Sequence, residues 1–156
     1  MTSEFTVRYA IFIKATPEAV WEALTAPRFT TQYFPGGALE SDWQRGSRYT
    51  RTAPDGTVMY EGTVLESDPP RRLVQSVTFR NPPAFAGHKE LTMASDVEPV
   101  GEACRVTISH FGSASDAQLL ETLTGHCPHM MSGLKTLLET GTPLHIDEPA
   151  ASAAHA

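Results

Sequence analysis

His110 is the residue of this sequence best suited to polar chemistry inside an apolar pocket. It ends a run in which Cys104, Val106 and Ile108 alternate with polar residues, so their side chains should share one face of a strand with it. A histidine there can serve as a polar handle for a ligand or as a general base. The alternative is a structural histidine bonded to backbone, and a single pocket histidine is weak evidence for catalysis. His110 is therefore a candidate, and no catalytic residue is assigned.

Four further polar residues occur in phase with the apolar residues of candidate strands, namely Tyr9, Tyr49, Tyr60 and Gln75. Each would bring a polar atom to an apolar face, as expected for a ligand pocket that has a few orienting groups. The alternative is that each one bonds to backbone or water at the edge of the sheet.

Histidine and cysteine residues close together in the sequence also require a metal site to be considered. His126, Cys127 and His129 are possible zinc ligands, and residues three apart share a helix face. Cys127, however, lies on an apolar stripe, and its neighbours point about 100° away from it. No fourth ligand is evident, so the sequence predicts no metal. His126 is in line with Met130 and Leu134 and should reach the interior, whereas His129 should point outward.

The strands that must position these residues follow from hydrophobic alternation. Period-two patterns bounded by glycine and proline turns predict strands over 5–13, 39–43, 47–52, 57–66, 73–79, 88–97 and 104–110. The short links between them predict antiparallel pairing.

The helices follow from a different period. Thr16-Pro17-Glu18 has the features of a helix start, Pro27 limits that helix, and a short second helix is expected over 28–33. Apolar residues then recur every three or four positions over 119–138, which predicts a long amphipathic helix that Pro128 should kink or break. One apolar sheet face and one apolar helical stripe must cover each other, so the fold class is α+β.

Several segments resemble the START-like, helix-grip superfamily, and more narrowly the branch named after the C-terminal domain of the activator of Hsp90 ATPase. They include Ala15–Thr25, Gln32-Tyr33-Phe34-Pro35, Glu66–Leu73 and Gly133–Gly141. The similarity covers roughly residues 5–141. It implies a seven-stranded antiparallel sheet curled around the C-terminal helix, often with a cavity for an apolar small molecule between them.

One departure from the resemblance concerns that cavity. The family commonly has Gly-Trp where this chain has His126-Cys127. The smaller cysteine implies that the void is largest near Cys127, lined by Met130 and approached by His126.

Length, charge and composition exclude several classes of protein. A chain of 156 residues fits one domain, expected over 1–141, with a disordered tail over 142–156. The net charge of −6 disfavours a nucleic-acid binder. No apolar run approaches the roughly 18 residues of a membrane span, and no secretory signal is recognisable. Two cysteines make no disulfide framework, so a cytoplasmic location is expected.

The function predicted from the sequence is the binding of a small, mainly apolar molecule, without a cofactor, by a monomer or homodimer. The expected pocket residues are Tyr9, Ile11, Tyr49, Tyr60, Gln75, Val77, Met93, Val106, Ile108, His110, His126, Cys127, Met130 and Leu134. One alternative is an enzyme of the cyclase or hydratase kind that uses His110 and a pocket tyrosine. A second is a chaperone-partner or other protein-interaction role, which the family name suggests.

Overall fold

The computed structural model describes residues 4–33, 38–81, 83 and 90–144. Its elements follow the predicted order and confirm the α+β class. They are β1 (Glu4–Ile13), α1 (Pro17–Thr25), α2 (Pro27–Tyr33), β2 (Ala38–Ser41), β3 (Arg48–Thr52), β4 (Val58–Asp68), β5 (Arg72–Phe79), β6 (Leu91–Val100), β7 (Ala103–Ser113), a short 3-10 helix (Ala114–Asp116) and α3 (Ala117–Thr140).

The seven strands form one antiparallel sheet in the order β1-β7-β6-β5-β4-β3-β2. Strands β2 to β7 each pair with their neighbours in sequence, whereas β1 pairs with β7, the last strand. The first and last strands are therefore side by side, and α3 follows directly from this end of the sheet. The sheet curves around α3, and we call the face toward α3 the concave face.

Helix α3 is a single helix of 24 residues that contains Pro128. The sequence predicts a kink or a break at this position, and the break is wrong because the helix is continuous. Proline removes one hydrogen bond from the helix, but Cys127 and Met131 on either side of it are both buried against the sheet. Packing thus carries the helix through the proline. Gly141, with φ of 88°, ends the helix in a left-handed conformation.

Two apolar clusters lie between the concave face and α3. The large cluster is built around the second half of α3 and contains the buried residues Ile13, Val20, Ala23, Tyr33, Val97, Cys104, Val106, Ile108, Cys127, Met131, Leu134 and Leu137. The small cluster is built around the start of α3 and contains the buried residues Val77, Leu91, Leu119 and Leu120. Met93, partly buried, packs against both clusters and marks their junction.

Strand β1 is an edge of the sheet, and α3 covers part of that edge. Nζ of Lys135 donates to the carbonyl oxygen of Phe12 at 2.9 Å, and Oε2 of Glu139 accepts from the backbone N–H of Lys14 at 2.9 Å. Lys135 and Glu139 also bond to each other. Unpaired edge groups attract other strands, so these contacts protect the edge and hold α3 against β1.

The chain turns back toward α3 after the helix ends. The carbonyl oxygen of Leu144 lies 3.2 Å from the place where a Cβ on Gly133 would be. Residues 145–156, most of the predicted tail, lie outside the described residues. Within the described residues, none of the helices has the length and apolar character required to cross a membrane.

Candidate functional site

Strand register brings two of the predicted polar residues into one row. Across the concave face, Val7 pairs with His110, His110 with Met93, Met93 with Gln75, and Gln75 with Val64. Residues opposite each other on neighbouring strands point to the same face. His110 and Gln75 therefore flank Met93, at the junction of the two apolar clusters. We call His110, Met93 and Gln75 the polar row.

His110 is buried and uncharged at neutral pH. Its exposed fraction is 9%, and Nδ1 has no hydrogen-bond partner in the described part of the chain. Burial lowers the pKa of the His110 imidazole to about 4, because the low dielectric disfavours the charged form. The strand alternation predicts this side chain on the face toward α3, and the structure adds that its Nδ1 lacks a hydrogen-bond partner in the described part of the chain.

Gln75 is more deeply buried, at 2% exposure, and its Nε2 also lacks a hydrogen-bond partner among the described residues. The Gln75 amide lies beside the Tyr49 hydroxyl and opposes the rise in that hydroxyl's pKa, but its Nε2 does not reach hydrogen-bond geometry with that oxygen. A buried donor without a partner typically costs about 1–3 kcal/mol. Two such groups in one row are a feature that folding alone does not explain.

Tyr49 is held by a contact that only glycine allows. Its hydroxyl donates to the carbonyl oxygen of Ser76 at 2.6 Å, across strand β4. Gly62 on β4 is the partner of Tyr49 in the register, and a Cβ there would lie 2.0 Å from the same Ser76 oxygen. Burial raises the pKa of Tyr49 well above its usual range. The hydroxyl is therefore a neutral structural donor.

An aromatic series continues from Tyr49 over the β2 to β5 half of the sheet. Tyr49 stacks on Trp43 with ring centroids 6.0 Å apart, and it meets Tyr60 edge-on at 6.1 Å. Tyr60 in turn lies 5.3 Å from Phe79. We call Trp43, Tyr49, Tyr60 and Phe79 the aromatic series. It offers the polarised ring faces and edges that favour other aromatic rings.

Trp43 is fixed in an uncommon backbone conformation. Its φ of 55° is in the left-handed region, which bulky residues rarely adopt. Three hydrogen bonds hold it there: Nε1 donates to the Thr25 carbonyl, its N–H donates to Oγ of Ser41, and its carbonyl accepts from Oγ of Ser67. The indole at the end of the aromatic series is thereby locked between α1 and the sheet.

Tyr60 has a charged partner on the same face. Arg51 is opposite it in the register of β3 and β4 and hydrogen-bonds to its hydroxyl. Burial raises the pKa of Tyr60, and the neighbouring Arg51 partly opposes that rise. Sequence reasoning missed Arg51, Trp43 and Phe79 as site residues. Arg51 is in phase with Tyr49 and Phe79 is in phase with Gln75, so alternation alone already carried a signal for both.

The remaining predicted pocket residues fall into the two apolar clusters. Val106, Ile108, Cys127 and Leu134 are buried in the large cluster, with Tyr9, Ile11 and Met130 packed against it, and Val77 is in the small cluster. Met131 is fully buried and Met130 only partly, so Met131 is the more deeply buried of the two methionines. The side chain of His126 lies outside the described part of the structure. His129 is exposed, as predicted.

Neither cysteine is activated as a nucleophile. Burial raises the pKa of the Cys127 thiol to about 11 and also raises the pKa of Cys104. Sγ of Cys104 lies 3.2 Å from the carbonyl oxygen of Ala15, to which the thiol donates. A reactive cysteine needs a lowered pKa, so both act as packing residues.

The opposite face of the sheet is charged. Glu61 accepts from Arg80 at 2.8 Å and Arg48 at 3.4 Å, which holds the pKa of Glu61 below its usual range. An open groove of about 600 Å³ on this side includes the ion pair of Arg72 with Asp96, at 2.6 Å. Positive and negative groups are paired there, so this face does not suit an apolar molecule. The candidate site is the concave face.

Solved structures with the same fold were found by comparison. DynU16, a putative protein in the dynemicin biosynthetic locus, has a TM-score of 0.76 and 24% identity, over 91% of this chain and 50% of that chain. CalU16 from Micromonospora echinospora has a TM-score of 0.72 and 18% identity, over 89% of this chain and 76% of that chain. The Aha1 dimer from Colwellia psychrerythraea has a TM-score of 0.68 and 19% identity, over 88% of this chain and 98% of that chain.

At these identities the likeness is one of fold. No curated protein matches this sequence significantly. Residues 14–139, however, match the family described as Activator of Hsp90 ATPase homolog 1-like protein. The match begins directly after β1 and ends one residue before the end of α3, so it includes the polar row and the aromatic series but not β1. The chain therefore belongs to the Activator of Hsp90 ATPase homolog 1-like family.

Proposed function

We propose that this protein binds a small, mainly apolar molecule between the concave face of the sheet and α3. The observation that carries the proposal is the polar row. His110 and Gln75 are both buried, each has an atom without a hydrogen-bond partner among the described residues, and both lie where the two apolar clusters meet. Buried polar atoms in proteins are nearly always satisfied. A bound molecule with one polar group would satisfy both atoms.

The surroundings favour an apolar body for this ligand. Met93 lies within the row, and the clusters on either side consist largely of aliphatic residues. Pockets for small molecules typically combine an apolar lining with a few polar groups that fix orientation. Family membership and the likeness to a putative protein in a biosynthetic locus are compatible with a small-molecule ligand.

The protonation states favour binding over acid–base catalysis. A general base works best with a pKa near the operating pH, whereas burial lowers the pKa of His110 to about 4. The tyrosines are no better suited to the opposite role, because burial raises the pKa of both Tyr49 and Tyr60. The Tyr49 hydroxyl is also already committed to Ser76. These groups can orient a ligand without exchanging protons with it.

Two measurements on the purified protein test the proposal. Native mass spectrometry should show the protein with a retained small organic molecule, and it reports the subunit count as well. After extraction of that molecule, the protein should bind naphthalene, followed by the fluorescence of the probe. Failure of the extracted protein to bind naphthalene at any accessible concentration would contradict the proposal.

A substitution locates the site. Cys127 is 3% exposed within the large cluster, so we expect the larger side chain of Cys127→Trp to displace a ligand held against that cluster and weaken naphthalene binding at least tenfold. Glu121→Trp, on an exposed position of the same helix, is the control and should leave binding unchanged. If the folded Cys127→Trp variant binds naphthalene as tightly as wild type, the molecule sits away from Cys127. If that variant does not fold, naphthalene binding by the wild-type protein still decides the proposal.

A further inference from the structure

The spacing of the polar row allows one ligand group to contact both His110 and Gln75. Cα atoms of paired residues on antiparallel strands are about 5 Å apart, so those of His110 and Gln75 are about 10 Å apart, with Met93 between them. Both side chains project from the concave face of a curved sheet, which tilts them toward each other. An atom held above Met93 can therefore be reached from both sides.

The two vacant atoms have different hydrogen-bonding abilities. Nε2 of Gln75 can only donate. Nδ1 of His110 accepts when the imidazole is neutral and carries its proton on the other nitrogen. One hydroxyl group can accept a hydrogen bond from an amide and donate one to an imidazole nitrogen at the same time. For that tautomer, a carbonyl oxygen has no proton to donate and would leave the accepting nitrogen without a partner.

The charge state of the row also favours a neutral group. Gln75 is uncharged, and burial keeps the His110 imidazole neutral above a pKa of about 4. A carboxylate or phosphate placed between them would be a buried charge without a cation opposite it in the polar row, and such burial is costly. A neutral hydroxyl carries no such penalty.

The aromatic series indicates what the hydroxyl is attached to. The Gln75 amide lies near the Tyr49 hydroxyl, so the polar row adjoins the middle of the series. Rings in the series meet by stacking with Trp43 and by an edge contact with Tyr60. A flat aromatic body placed beside Gln75 would extend these contacts, which favour aromatic over aliphatic partners.

We infer that the ligand is a neutral aromatic alcohol whose hydroxyl group donates to Nδ1 of His110 and accepts from Nε2 of Gln75. This inference rests on the proposed function and names the class of molecule that the same site takes. The aromatic body lies toward Tyr49, and the hydroxyl lies over Met93.

Two matched probes test the inference. 2-Naphthol and naphthalene share the aromatic body and differ by one hydroxyl group. Two net hydrogen bonds should make 2-naphthol bind the extracted wild-type protein about tenfold more tightly, or better, at pH 7. Binding of naphthalene alone supports the proposed function, whatever the ratio of the two dissociation constants. Failure of both probes to bind overturns the proposed function, and the inference fails with it.

Substitutions test whether Gln75 and His110 cause the preference for 2-naphthol over naphthalene. Gln75→Leu and His110→Phe should each reduce the ratio of the dissociation constants severalfold while naphthalene still binds. The control variants Gln118→Leu and His129→Phe change the same residue types at exposed positions of α3 and should keep the full ratio. Equal affinity for the two probes in the wild-type protein overturns the inference. So does a ratio that is unchanged in both site variants.

Buried water is the competing occupant, since a water molecule can also satisfy both atoms. If water does so, ligand-free Gln75→Leu loses a hydrogen bond and should melt at a lower temperature than wild type. If the ligand is the partner, removal of the unpaired amide should leave the melting temperature unchanged or raise it. A lower melting temperature combined with equal probe affinities shows water as the occupant and overturns the inference. Should Gln75→Leu fail to fold, the His110→Phe ratio decides in its place.

Discussion

Burial sets the protonation state of His110, and this makes the stability of the protein depend on pH. The pKa is about 4 in the folded chain and 6.5 as the ordinary value. Between these values the unfolded chain binds a proton at this residue and the folded chain does not. Stability contributed by the neutral imidazole is therefore complete above about pH 6.5 and is lost as the pH falls toward 4.

We predict that His110→Phe reduces this loss. Urea unfolding at pH 6.5 and pH 5 should show that wild type loses on the order of 2 kcal/mol more than the variant on acidification. The carboxyl groups of Glu61 and Glu139 have lowered pKa values and titrate below this window. His129→Phe, at an exposed histidine, serves as the control and should keep the wild-type dependence. Equal losses in wild type and His110→Phe would contradict the assigned pKa.

Gly62 is required by its close approach to the carbonyl oxygen of Ser76 on the neighbouring strand. A Cβ at this position would lie 2.0 Å from the backbone oxygen of Ser76, which also accepts from Tyr49. Backbone cannot move aside as a flexible side chain can, so Gly62→Ala must separate β4 from β5 or displace Tyr49.

We predict that Gly62→Ala lowers the free energy of unfolding by about 2 kcal/mol or more, measured by urea denaturation. Gly125→Ala is the matched control. Gly125 lies in α3 with nothing within 4 Å of its would-be Cβ, so alanine there should raise stability by about 0.5–1 kcal/mol. A Gly62→Ala variant as stable as wild type would show that the strands tolerate the added methyl group.

At the level of elements, α3 is held by its apolar side rather than by its intrinsic helix propensity. It contains both Gly125 and Pro128, two residues that weaken helices, yet it is continuous. Leu134 is fully buried in the large cluster, and Lys135 next to it bonds to the edge of β1. One turn of the helix thus contributes both the packing contact and the edge contact.

We predict that Leu134→Ala lowers the free energy of unfolding by about 2–5 kcal/mol in urea, because it leaves a cavity in the large cluster. Glu121→Ala, on an exposed position of the same helix, should change stability by no more than about 0.5 kcal/mol. A loss at Leu134 as small as that of the control would mean that the helix presents a different face to the sheet.

In the whole molecule, the apolar interior between the sheet and α3 consists of two clusters. The polar row adjoins the junction of the two clusters, so the two buried polar side chains, His110 and Gln75, lie beside Met93 where the clusters meet. Among the described residues, neither cluster includes one after Leu138.

We predict that a chain truncated after Leu144 keeps its stability. Of the twelve residues removed, five are alanine and Ile146 is the single large apolar one. The melting temperature should change by less than about 2 °C, and naphthalene binding should be unaffected. A fall of several degrees corresponds to a loss of roughly 1 kcal/mol or more in a domain of this size. It would show that the segment packs on the domain.

Local sequence patterns are sufficient to predict the order of the elements and the α+β class. Alternation over 5–13 and 104–110 and the helical period over 119–138 are local patterns, and local patterns are enough to assign a strand face or a helix face. They also placed His110 and Gln75 on the concave face, because the side-chain period of a strand is two.

Which of these residues are neighbours depends on the tertiary structure. The side-chain period assigns a face but not a neighbour, so the row that joins His110 to Gln75 through Met93 depends on the pairing of β7 with β6 and β6 with β5 in one register. Trp43 joins the site through a left-handed backbone conformation held by three hydrogen bonds, two of which go to residues distant in sequence, Thr25 and Ser67. Helix α3 passes through Pro128 because packing outweighs local propensity. In each case the stabilising contacts include ones between segments that are far apart in sequence. Local sequence patterns do not predict such contacts.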